Sequence, residues 1–181
     1  MKKVFYFFSV FSISFFLQSC EFNCSVGKKK EEEVKGAAVV KEDGARIYNN
    51  IQIESPGLKI SKAYLVYEGG TRIPDDNFVD FKKWIKLQLQ VDSGWTVDNG
   101  KVLLGASEKI TAENGRVILE ENDLFKKYPD GISAEDAKYI VLSAGVDLKE
   151  GTAPTSFTVS FKVWDKNGPG YAEGSYKLYS K

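Results

Sequence analysis

Histidine is absent from all 181 residues, and carboxylates could do acid–base work without it. That absence excludes Ser-His-Asp and Cys-His catalysis, histidine-ligated zinc and a histidine pH switch. Two carboxylates can hydrolyse a glycosidic bond unaided when they stand ~5 to 9.5 Å apart. The available pairs are Glu120 with Glu121, Glu135 with Asp136, and Asp147 with Glu150. Each sits in or near a turn, and its spacing sets no separation in space, so ordinary surface charge is the simpler account. No catalytic residue is assigned, and the chain is not expected to be an enzyme.

Two oxygen-rich stretches are the candidate cation sites. Asp75-Asp76-Asn77 with Asp80 reads as a solvated loop that caps the segment after it. Asp165-Lys166-Asn167-Gly168 begins like a calcium loop, but the spacing then puts Pro169 and Tyr176 at ligand positions, and neither can serve. A hairpin turn accounts for it better. No metal and no cofactor is expected.

Aromatic residues make up 13% of the chain. In 157–164 the phenylalanines and valines share one face and Trp164 points the other way; Tyr176 and Tyr179 could join it. Trp84, Trp95, Trp164 and Tyr171 are the candidate ligand-binding residues, because flat aromatics on a sheet face stack on sugar rings or anchor a protein partner. Packing beneath a loop or against a helical turn is the competing account.

The elements that would carry these residues begin after an export signal. Lys2 and Lys3 precede an apolar run to Leu17 that has the anatomy of a secretory signal peptide and is too short for a comfortable membrane span. Leu17-Gln18-Ser19-Cys20 resembles the bacterial lipobox. That resemblance covers the first twenty residues and implies a bacterial lipoprotein, acylated at Cys20, with 1–19 as signal peptide. It places the protein in the cell envelope, expected at the outer membrane of a Gram-negative bacterium. Acyl chains on Cys20 would hold it to the bilayer and leave Cys24 the remaining thiol, without an internal disulfide partner. Residues 20–36 include Lys28-Lys29-Lys30-Glu31-Glu32-Glu33 and read as a flexible charged tether. Charges close behind the lipidated cysteine resemble surface-export signals of some Gram-negative lipoproteins; a plain spacer is the alternative.

A single domain over 37–181 comes next, dominated by period-2 alternation. Strands are expected over 46–53, over 58–68 with a bulge near Ser61, from Ile85 through Val91, over 139–148, and over 157–164 beside 171–179. Three turn sequences, Asp98-Asn99-Gly100, Glu113-Asn114-Gly115 and Asp165-Lys166-Asn167-Gly168, predict hairpins. Helical turns are expected near Asn122 and after Ser133, whose spacing to Asp136 suits a capping box. Residues 78–84 suit either a helical turn or an irregular strand entry.

The sum is an all-β fold, an antiparallel β-sandwich of about seven to nine strands with one or two short helical turns. The Phe-x-Val-x-Phe-x-Val-Trp-Asp-x-x-Gly segment resembles immunoglobulin-like domains of secreted lipoproteins, without the Cys…Trp…Cys core of true immunoglobulin domains. Basic and acidic residues balance at 25 each, so no positive excess draws nucleic acid. The functional expectation is a non-catalytic, lipid-anchored envelope protein that binds or organises a protein or glycan partner. A carboxylate-based hydrolase of envelope or extracellular polysaccharide is the alternative. Replacing Cys20 with Ala should move the protein from the detergent phase to the aqueous phase on phase partitioning; continued partitioning with detergent would overturn the anchor.

Overall fold

The computed structural model describes residues 22–26, 38–145 and 156–181. The signal peptide, Cys20, the charged run and the pair Asp147 and Glu150 lie outside the described residues. In chain order the strands are β1 (Phe22–Val26), β2 (Val39–Val40), β3 (Arg46–Ile47), β4 (Gln52–Glu54), β5 (Lys59–Tyr67), β6 (Phe78–Val79) and β7 (Ile85–Ser93). They continue with β8 (Lys101–Val102), β9 (Leu104–Ala112), β10 (Val117–Glu121), β11 (Ile132–Ser133), β12 (Tyr139–Ala144), β13 (Ser156–Asp165) and β14 (Tyr171–Ser180). A 3-10 turn at Asp136–Lys138 precedes β12.

The strands form two main sheets, ordered β1-β12-β7-β5-β3-β2 and β10-β9-β13-β14-β4, with β6 running parallel to the end of β14. A small pairing of β8 with β11 closes one end. The architecture is the antiparallel β-sandwich read from the alternation. The inner face of the first sheet contributes Ile85, Leu87, Leu89 and Val91 from β7, with Leu65, Ile140 and Leu142 beside them. The second contributes Phe157, Val159, Phe161 and Val163 from β13, with Ile110 and Leu178. A fully buried side chain of this kind contributes roughly 1.5–3 kcal/mol relative to exposure, so this double row is the main source of stability.

Several boundaries differ from the sequence reading, each for a local reason. Residues 46–53 are not one strand. Asn49 and Asn50 hold φ of 56° and 50°, breaking the extension so that β3 joins the first sheet and β4 the second. The bulge in β5 is present, as register shifts on either side of Ile60. At Asn99-Gly100 both residues have positive φ and the tight turn forms, yet 95–97 is not a strand, and β8 pairs with β11 instead. The β9–β10 hairpin needs positive φ at Gly115 alone, with Ala112 N–H bonded to Arg116 O at 2.9 Å around a three-residue loop. Residues 122–127 make turns and no helix, whereas Ser133 Oγ accepts from Asp136 N–H at 3.0 Å and starts the 3-10 turn. Strand β1 falls inside the span read as a flexible tether, pairing along β12 from Phe22↔Ala144 to Val26↔Ile140.

The crossing from one sheet to the other is fastened by two buried amides. Asn49 Oδ1 accepts from Leu65 N–H of β5 at 2.9 Å, and its Nδ2 donates to Ile73 O, Pro74 O and Asn77 Oδ1 at 3.1, 3.0 and 2.9 Å. Asn77 Nδ2 donates to Asn49 O and to Lys177 O of β14, both at 2.8 Å. One amide thus grips the first sheet, the other grips the second, and each holds its partner. Removing Asn49 strands a buried N–H and several carbonyls, each costing about 1–3 kcal/mol. Asn49→Leu should therefore lose about 3–5 kcal/mol in denaturant titration. An Asn49→Leu protein within about 1 kcal/mol of the parent would refute the clamp.

Candidate functional site

Alternation along β13 and β14 sorts the aromatic residues. Tyr176 faces inward and is 3% exposed, so it belongs to the core and cannot join an outer patch. Trp164 and Tyr171 point outward and stand directly opposite each other across the strand pair. On its other side Trp164 is paired with Gly105 of β9. A Cβ at Gly105 would overlap the indole ring, so the missing side chain is what lets Trp164 lie down on the neighbouring strand. The next outward pair is Lys162 with Glu173, bonded at 2.9 Å, and Lys162 Nζ sits 4.4 Å from the centre of the Tyr171 ring. Ser160 and Ser175 continue the same row. Trp164 and Tyr171 are half-buried and Ser160 is exposed, so the row is accessible.

The other two tryptophans are elsewhere. Trp95 lies beyond the end of β7, packs partly against the core and donates from Nε1 to Ala137 O at 3.0 Å. Trp84 precedes the start of β7, with its indole against Gly145. The nine residues of β7 between them span roughly 30 Å. These two roles are the packing against turns and loop ends that competed with ligand binding. Tyr179 stacks with Phe78 at 5.4 Å, at the far end of β14 from Tyr171. Of the four candidates, the fold brings together Trp164 and Tyr171 only.

Among the described residues, several of the carboxylates read as candidates serve as caps and ion-pair partners. Glu120 reaches Lys109 at 3.4 Å and Glu135 reaches Lys138 at 2.8 Å. The hydrogen bond from Lys126 to Glu121 holds that carboxyl below the usual range, the wrong direction for a general acid. Asp75 binds Arg72 and accepts from Asn49 N–H, Asp76 accepts from Phe78 N–H, and Asp80 accepts from Lys82 N–H. Asp165 accepts from Thr96 N–H at 2.6 Å and Asn167 N–H at 2.9 Å, which shapes the β13–β14 hairpin. No group of three acidic or cysteine residues suited to a metal occurs among the described residues.

One titratable residue escaped the sequence reading. Glu108 occupies an inward position of β9, between Ala106 and Ile110, and is 1% exposed. Neither of its carboxylate oxygens has a hydrogen-bond partner among the described residues. Burial pushes this carboxyl up to about 8, so it is held neutral in the core. Burial, and then the neighbouring Glu108, drive the Tyr176 phenol well above its ordinary value. Strict alternation along 104–112 was the signal that could have placed Glu108 inside. A small cavity beside Tyr176, lined by Phe81, Ile85, Ile110, Phe157 and Leu178 among others, is no larger than about one water molecule.

Fold and site together define an all-β sandwich whose second sheet carries Trp164 and Tyr171 side by side on its outer face. No protein-family model matches the chain, and no curated protein matches it. Among solved structures it is similar to the C-terminal domain of wzt, with 14% identity and a TM-score of 0.45 over 73% of this chain and 78% of that one. A likeness at that level assigns neither a family nor a ligand.

Glu108 makes stability pH-dependent with a definite sign. Its folded-state value is raised, so its contribution is full below about 4.5 and is lost as pH climbs through about 8. The total is at most about 5 kcal/mol. Glu108→Gln should flatten the fall in unfolding free energy between pH 5 and pH 8.5; identical slopes in the two proteins would count against a neutral buried carboxyl.

Proposed function

We propose that this chain is a non-catalytic, lipid-anchored protein of the bacterial cell envelope whose β-sandwich binds or organises a partner on the outer face of β9, β13 and β14. The observation that carries the reading is the Trp164–Tyr171 pair, seated on Gly105 and flanked by the Lys162–Glu173 ion pair. Indole and phenol rings side by side on a sheet exterior provide much contact area at low entropic cost. The lipobox-like Leu17-Gln18-Ser19-Cys20 supports membrane attachment, which at the outer membrane would present this face to other envelope components.

A hydrolytic reading finds weaker support. Among the described residues, Glu120, Glu121 and Glu135 are engaged with lysines at the surface, and the carboxyl raised in pKa, Glu108, is sealed in the core.

A photoreactive amino acid at position 160 of the full-length chain tests the binding face in cells that process the signal peptide. Irradiation should yield adducts that diminish when Trp164 is also changed to Ala, with few from the same group at position 135. Equal, background-level yields from both positions would overturn the assignment.

A further inference from the structure

The outer face carrying Trp164 has a composition that favours one class of partner. Lys109, Lys162 and Lys177 on it are matched by Glu54, Glu120 and Glu173. Two of these matches are direct ion pairs, Lys162–Glu173 at 2.9 Å and Lys109–Glu120 at 3.4 Å. The face is therefore close to neutral. It presents no basic excess for phosphate, uronate or an acidic peptide, and no acidic excess for a basic one. Ser160, Ser175 and Thr158 line the same strands, adding hydroxyls that both donate and accept. Around Trp164 apolar contact is limited to the Trp164–Tyr171 pair, because Phe78 and Tyr179 lie at the far end of β14, roughly 25 Å along the strand, and exposed Val117 lies on the edge strand β10. A stable protein interface needs roughly 800 Å² per partner with a desolvated apolar centre.

We infer that Trp164, lying on Gly105 beside Tyr171, is the stacking platform of a binding site for an uncharged glycan, with a pyranose ring on the indole and its hydroxyls bonded to Lys162, Glu173 and the serine row. This inference rests on the binding role proposed above and names its ligand. The physical match is specific. A pyranose is apolar on its C–H face and polar at its rim, as this patch is apolar at one ring and polar around it. The Lys162–Glu173 pair supplies donors and acceptors already held in place by each other and by the Tyr171 ring, so little ordering remains to be done on binding. Gly105 sets the height of the platform: a methyl group there would tip the indole off the strand without removing it.

The test is a titration of the full-length chain, in a detergent lacking a sugar headgroup, with neutral gluco-, galacto- and manno-oligosaccharides and with an oligouronate, read by calorimetry. At least one neutral oligosaccharide should bind with a Kd in the millimolar range or tighter, and more tightly than the oligouronate. Trp164→Ala should weaken it by about tenfold or more, Trp164→Phe by less, and Gly105→Ala measurably although the tryptophan is kept. Trp95→Phe should leave binding unchanged, and circular dichroism should show each variant folded. Silence across the neutral panel to about 10 mM, tighter uronate binding, or indifference to Trp164→Ala would each overturn the glycan inference. If the panel is silent while position 160 still crosslinks to polypeptide in a Trp164-dependent way, the binding role stands and the ligand is a protein. If crosslinking fails too, both fall.

Discussion

The structure turns on how one chain gets from the first sheet to the second within five residues. Strand β3 ends at Ile47 and β4 begins at Gln52, on opposite layers. Backbone that crosses a core cannot leave its N–H and C=O groups unpaired. Asn49 and Asn77 meet that demand, because an amide side chain both donates and accepts and asparagine tolerates the left-handed backbone needed at the bend. Leu65 N–H, Ile73 O, Pro74 O and Lys177 O are all satisfied by these two side chains. The path from β3 to β4, and its ties to β5 and β14, depend on that fastening.

Against this economy Glu108 stands as a local conflict. The row Leu104, Ala106, Glu108, Ile110, Ala112 is inward by strand periodicity, and the carboxyl goes inward with it. A neutral carboxylic acid without a partner still loses its water, so the position costs stability even when protonated. An interior of Phe161, Tyr176 and aliphatic side chains would be more stable with leucine there. Natural sequences tend to keep such conflicts where something other than stability matters, which makes Glu108 a residue to follow in related chains.

The outer face shows how a surface feature is built from backbone absence as much as from side chains. Trp164 lies flat because Gly105 has no Cβ, and Tyr171 is held because Lys162 covers its ring while bonded to Glu173. Registers β9–β13 and β13–β14 decide these neighbours, and a shift of one residue in either would leave Trp164 without Gly105 or Tyr171 on its own face of the sheet.

Much of this was legible in local pattern. Two-residue alternation over 85–91 and 157–164 specified strands and their buried faces, and it put Trp164 opposite the phenylalanines, because side-chain direction in a strand is a local property of the backbone. Turn chemistry at Asn99-Gly100 and Gly115, and the Ser133–Asp136 cap, were likewise local. What tertiary structure alone decided was which residues meet. Trp84, Trp95, Trp164 and Tyr171 were all candidates in sequence, yet only the last two became neighbours, on the β13–β14 hairpin, while Gly105 came to them from a strand far off in the chain. The same holds for Asn49, which lies within an expected strand over 46–53, and Asn77, which reads as part of a solvated loop. Only folding brought them together across 28 residues, where burial of their amides made them a clamp.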